Sequence, residues 1–151
     1  MAYIKGDARH AECIFCDFPS QPASNDRDNL ILARGDHAFV ILNKFPYNSG
    51  HLMVAPFRHT GEWESLNDDE LLEISRWSQR CIASLHATLV PQGFNVGVNQ
   101  GVIAGAGILD HVHLHVVPRW GGDTNFMTTV GDTKVLPEAL TETYDRLKPH
   151  L

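Results

Sequence analysis

Three histidines take alternate places in residues 110–120, DHVHLHVVPRW: His111, His113 and His115. In a strand, alternate side chains share one face, so the three imidazoles point one way and Val112, Leu114 and Val116 point into a core. At a rise of about 3.3 Å per residue, neighbouring histidines stand about 6.6 Å apart and the outer pair about 13 Å. Two of them could ligate one metal ion. All three could not without distorting the strand, because Zn–N bonds are only about 2 Å. The row therefore predicts at least two separate jobs. One is nucleophilic: a neutral imidazole, with an ordinary pKa of about 6.5, is unprotonated at pH 7 and can attack phosphorus or carbon. A second histidine on the same face could then touch a phosphate oxygen of the same substrate.

A second chemical group lies near the N-terminus. Cys13-Ile14-Phe15-Cys16 is a C-x-x-C, half of a zinc site whose other half must come from elsewhere, or else two free thiols in a reducing compartment. The third cysteine, Cys81, falls on the apolar stripe of a helix and is expected to pack in the core. A formal charge of −6 removes any global basic surface for a nucleic-acid polymer. A polyanionic small ligand would need local cations, for which Lys44 and Arg119 are placed.

The elements that must position these groups alternate short strands with one long helix. Residues 29–33, 37–45 and 51–56 read as strands joined by turns, an antiparallel start. Residues 18–29, rich in Pro, Ser, Asn and Asp, read as a loop. Residues 65–90 read as the clearest helix. Asn67 and Glu70 form a capping box, and Leu71, Ile74, Ser78, Cys81, Leu85 and Leu89 form its inner face. A strand at 93–100, a glycine-rich turn at 101–107, the histidine strand halted by Pro118, and a short helix at 137–148 complete the chain. The fold class is α+β, a mainly antiparallel sheet of about five strands in one domain spanning 1–151. No apolar run reaches the roughly 18 residues of a membrane span, and the first residues carry no apolar signal region. A cytoplasmic chain with no membrane partner is expected.

HVHLHVV resembles the signature of the histidine triad superfamily of nucleotide hydrolases and transferases. CIFC, FVILNKFPYNSGHLMVAPFRH, the long helix and NVGVNQGVIAGAGILDHVHLHVVPRW follow that family's order, and VPRWGGDTNFM resembles its bacterial branch acting on diadenosine tetraphosphate and related dinucleoside polyphosphates. The resemblance implies a HIT-like fold and a homodimer. It also implies a covalent nucleotidyl-histidine intermediate on His113, with His115 on the phosphate oxygens. Asn43 would contact the ribose and Gln100 a phosphate, with Arg119 as a local cation. Many relatives carry Ser or Thr three residues before the first triad histidine; here Ile108 stands there, so a donor is missing, or glycine backbone N–H groups around Gly107 replace it. This departure leaves water and inorganic phosphate both open as acceptor. In zinc-bearing branches the ligands correspond to Cys13, Cys16, His59 and His111, a closed structural site. The chemistry itself requires no metal. His51 matches a common family histidine, for which packing or hydrogen bonding is expected. The competing readings are a metal-dependent hydrolase using His113 and His115 as ligands, a protein that only binds nucleotides, and a phosphoramidate hydrolase of the same superfamily.

Overall fold

The computed structural model describes residues 13–108, 110–123 and 138–151. At its centre is a five-stranded antiparallel sheet in the order β1-β2-β3-β5-β4. The strands are β1 (Ile31–Arg34), β2 (Ala38–Leu42), β3 (Leu52–Pro56), β4 (Gly93–Val98) and β5 (Leu114–Arg119). Every residue of β2 and β3 is buried, which explains why their sequences read as continuous apolar runs rather than as alternations.

The long helix, α2 (Asp68–Thr88), starts as its sequence required. Asn67 Oδ1 accepts the Glu70 N–H, and Glu70 Oε2 accepts the Asn67 N–H, both at 2.9 Å. Ile74, Cys81 and Leu85 are buried in the core, together with Trp77 and Ser84. Glu70 also takes a salt bridge of 2.8 Å from Arg58, fixing the chain just beyond β3. Glu73 accepts backbone N–H groups from Asp36, His37 and Ala38, clamping the β1–β2 turn. A Cβ at Gly35 would stand 2.7 Å from that carboxylate, so only glycine lets it close in.

α2 covers one face of the sheet. A Cβ at Gly50, where φ is +82°, would strike Leu85 and Leu89 and meet Pro118 at 3.4 Å. Pro118 thus faces α2, and by alternation so do Val116 and Leu114. His115, Val117 and Arg119 take the opposite face, where Gly97 and Asn95 of β4 lie cross-strand from His115 and Val117.

The structure corrects three expectations. β5 is not halted at Pro118 but runs through it to Arg119. Pairing with β3 ends at Val116, so Pro118 sits where β5 has only β4 beside it, and a missing N–H is tolerated there as on an edge. The strand also begins later than expected, at Leu114, which places His111 and His113 on the approach to it. Finally, 18–29 is not all loop. α1 (Ile14–Ser20) occupies its beginning and a 3-10 turn follows at Ala23–Asn25. Its shortness and Pro19 hid α1 from periodicity. The C-terminal helix, α3, spans Leu140–Leu147; the first residue expected of it, Pro137, lies outside the described residues.

The two outer edges of the sheet differ. On β1, Tyr144 Oη donates to the Ile31 carbonyl (2.8 Å) and Lys148 Nζ to that of Leu32 (2.6 Å). On β4 none of the described residues pairs with the outer edge, and Asn95, Val96 and Gly97 are exposed. Among the described residues, no helix is long and apolar enough to cross a membrane.

Candidate active site and metal cluster

α1 brings the C-x-x-C to the histidines. Cys13 is its N-cap and Cys16 lies one turn on, so both thiols turn to the same side of the helix. Phe15 is fully buried between them, with its ring 4.7 Å from that of His113 and 5.4 Å from that of His111. The helix therefore packs directly on the histidine segment.

Backbone partners assign each imidazole its tautomer. His111 Nε2 lies 2.7 Å from the Pro56 carbonyl and donates to it, so its Nδ1 carries a lone pair. That Nδ1 faces Cys13 Sγ (3.4 Å), Cys16 Sγ (3.5 Å) and His59 Nδ1 (3.3 Å), with Cys16 Sγ 3.2 Å from His59 Nδ1. All four ligand atoms fall within 4.8 Å of one another. A tetrahedral zinc with Zn–N near 2.05 Å and Zn–S near 2.3 Å has N–N edges of about 3.3 Å and N–S edges of about 3.6 Å. The donor set fits such an ion in both chemistry and size. Burial and the adjacent Cys13 push the Cys16 thiol up to about 11, so that thiol resists ionising until a cation shares its charge.

His113 Nδ1 donates to the His111 carbonyl at 3.0 Å. Its Nε2 therefore holds the lone pair, the form a nucleophile needs. Burial holds the His113 pKa below its usual value, against the opposing pull of that carbonyl, and so keeps the ring neutral.

His115 is set by a short relay. The Tyr47 backbone N–H donates to His51 Nδ1 (3.1 Å), and the Asn43 amide lies 3.3 Å from the same nitrogen. His51 must then carry its proton on Nε2, which lies 2.8 Å from His115 Nδ1. His115 accepts there and presents Nε2–H as a donor. The rings of His113 and His115 meet edge-on, 4.7 Å apart, so a lone pair and a donor stand side by side. His51, expected to pack or hydrogen bond, does both at zero exposure. Burial, then the neighbouring imidazoles, push His51 down to about 3 and His115 to about 4.

These depressed values make a prediction. Between pH 6.5 and 4 the unfolded chain binds protons that the folded chain refuses. Stability is complete above about pH 6.5 and is lost as pH falls toward the folded values. Urea unfolding at pH 7.5 and pH 5.0 should show the loss. His51→Gln, which keeps a donor for His115 but cannot titrate, should recover about 2 kcal/mol of it. An unchanged pH slope in that variant would refute the assignment.

Two clefts flank His115 on this face. The first, of about 440 Å³, is largely apolar; it lies over β2 and β3 between Ile14, Phe18, Ile41, Met53 and Leu140, with Asn43 and Lys44 at its rim. The second, of about 350 Å³, lies over β5 and β4. Arg119 lines it, with Nε and Nη2 on Asp123 (2.5 and 2.9 Å) and Nη1 on Asn95 (2.7 Å). Asp123 in turn accepts from Asn48, and its carboxyl is held far below the usual range, chiefly by the Arg119 hydrogen bond.

The remaining residues picked out from the sequence stand elsewhere. Gln100 lines neither cleft: its Oε1 accepts the Trp63 N–H (2.9 Å) and its Nε2 donates to Glu64 (3.0 Å). Gly107 is exposed on the glycine-rich loop, and Ile108 packs against the core with no hydroxyl to offer. Tyr47, Asn48, Asn95 and Asn99 line the second cleft without having been singled out. The alternation Asn95, Gly97, Asn99 in GFNVGVNQ was the available signal, since it gives one polar, small-residue face. Among the described residues, Cys13, Cys16, His59 and His111 form the one group of three or more clustered metal donors; His113 and His115 are not in it.

Comparison with known proteins agrees with this geometry. The family pattern described as HIT domain matches residues 24–122. The chain is 42% identical over 142 residues to the AP-4-A phosphorylase of Mycobacterium tuberculosis strain H37Rv, covering 94% of this chain and 73% of that protein. A Zn-bound histidine triad family protein from Mycobacterium smegmatis superposes with a TM-score of 0.72 at 26% identity, over 93% of this chain and 94% of the other. The fold is shared with a Plasmodium falciparum diadenosine triphosphate hydrolase (TM-score 0.65, 17% identity, 80% and 75% covered). With its three histidines on one segment and the family pattern spanning the sheet that carries them, the chain belongs to the HIT domain family.

Proposed function

We propose that this chain cleaves dinucleoside polyphosphates, such as diadenosine tetraphosphate, by nucleotidyl transfer through His113. The observation that carries the reading is the pair of opposite tautomers: a lone pair on His113 Nε2 beside an N–H on His115 Nε2. His113 attacks the α-phosphorus; the N–P bond forms as the bridging P–O bond breaks, and its electron pair leaves with the nucleoside triphosphate. His115 donates to a phosphate oxygen as charge shifts onto it. The His111 carbonyl takes up the positive character that His113 gains. An acceptor oxygen then attacks the same phosphorus, the N–P bond breaks, and the imidazole returns neutral while the acceptor's proton passes to solvent. The apolar cleft with Asn43 at its rim suits the base and ribose of the nucleotide that is transferred.

Likeness to an AP-4-A phosphorylase favours inorganic phosphate over water as acceptor. Chromatography of products after incubation with diadenosine tetraphosphate tests this. ADP and ATP formed only with phosphate present are expected. AMP and ATP formed without phosphate would make the chain a hydrolase, and no cleavage in either condition would overturn the reading.

The four-donor cluster is read as a structural zinc site, supported by its tetrahedral edges and by the zinc-bound relative. Bound there, the ion would tie α1 to the histidine segment and would take no part in bond breaking. The β4 edge, unpaired among the described residues, suits a second copy of the chain, forming a homodimer by strand pairing. Light scattering of the purified chain should give twice the mass of one chain; a single-chain mass at micromolar concentration would remove the dimer.

A further inference from the structure

The second cleft has no role in bond breaking, yet it opens beside His115 on the reacting face. Its lining is unusual for a phosphate site. Among the described residues Arg119 is its only cation, and all three of its nitrogens are already engaged by Asp123 and Asn95. A run of phosphates would meet no uncompensated positive charge there. What the cleft does offer is neutral. The Asn95 amide nitrogen and the whole Asn99 amide are without hydrogen-bond partners among the described residues, and both side chains line it. Tyr47, 53% exposed, forms one wall, stacked over His115 at 5.9 Å and 21°. Val96, Gly97 and Val117 form the floor.

Aromatic stacking area together with two-way amide groups recognises a neutral heteroaromatic ring. Asparagine pairs with both a donor and an acceptor on an adenine edge, and tyrosine stacks on its face. A volume of about 350 Å³ suits a nucleoside.

We propose that this cleft seats the second nucleoside of the substrate, the one that departs with the nucleoside triphosphate. The inference rests on the nucleotidyl-transfer reading above and adds a specificity site to it. The two clefts would then hold the two ends of one molecule, with the polyphosphate passing over His113 and His115 between them. The distal base would contribute binding that a one-ended nucleotide cannot.

Asn99 provides the test. Its side chain lines the cleft, has no hydrogen-bond partner among the described residues and does not pair with His115. Asn99→Leu should remove the polar edge offered to the base, and Asn99→Trp is a second variant that fills the same space. Each would be assayed on diadenosine tetraphosphate and on adenosine 5′-tetraphosphate, which has the same phosphates but one nucleoside. For either folded variant, kcat/KM on the two-ended substrate should fall about 10-fold or more. The one-ended substrate should stay within about 2-fold of wild type. Equal losses on both, or no loss on the two-ended substrate, would overturn the second-nucleoside site. If wild type cleaves neither substrate, the nucleotidyl-transfer reading fails, and this inference with it.

Discussion

His113→Asn should lose turnover by about 10⁴-fold or more while still binding nucleotide. Asparagine is the informative replacement. His113 is only 5% exposed and packs on Phe15, so alanine would leave a cavity as well as removing the nucleophile. The asparagine amide can still donate to the His111 carbonyl, as Nδ1 does now, but its nitrogen lone pair is delocalised into the carbonyl and cannot act as the nucleophile. Wild type, quenched after one turnover of labelled substrate, should carry the label as an acid-labile adduct, and His113→Asn should not. His115→Ala should be milder, about 10²- to 10³-fold, because it removes one donor to the phosphate and leaves the nucleophile in place. A His113 variant that turns over at the wild-type rate would end the assignment, whatever the fold.

Much of this site was legible before the structure. Period-two spacing put the histidines in one row, and the limits of zinc geometry divided them into more than one job. In the structure His111 sits among possible metal donors, while the rings of His113 and His115 meet each other. The capping box at Asn67 and Glu70 and the burial of Cys81 followed from local rules of helix entry and helical period. What the sequence hid depended on contacts between distant residues. The tautomers of His113 and His115 depend on the His111 carbonyl and on His51, 64 positions before His115. Strand continuation through Pro118 depends on where β3 stops pairing, which no local signal records. Gln100 matched by its place in a motif, but its amide is taken up by a turn near Trp63. The second cleft was missed because the alternation of Asn95, Gly97 and Asn99 marks a polar face without saying what it faces; only the register with β5 puts Asn95 and Gly97 opposite Val117 and His115.

Purified protein should contain about one zinc per chain, and Cys13→Ser should lose it. The metal's effect on stability should be large because of what the cluster joins. Cys13 and Cys16 come from α1, His59 from beyond β3 and His111 from the approach to β5, so one ion closes loops of 43 and 95 residues from Cys16. Losing it should cost about 4 kcal/mol, lowering Tm by about 10 °C in a chain of this length. The effect on catalysis should be indirect and smaller, about 10-fold in kcat. His111 gives Nδ1 to the cluster, Nε2–H to Pro56 and its carbonyl to His113, so the ion holds the residue that holds the nucleophile. Brief exposure to a chelator, too short to strip a closed site, should leave turnover intact. Immediate loss would instead point to a metal at the reacting centre. A metal-free protein as stable as the zinc-loaded one would refute the site, and α1 would then be held by the burial of Phe15 and by Arg34 on the Pro19 carbonyl.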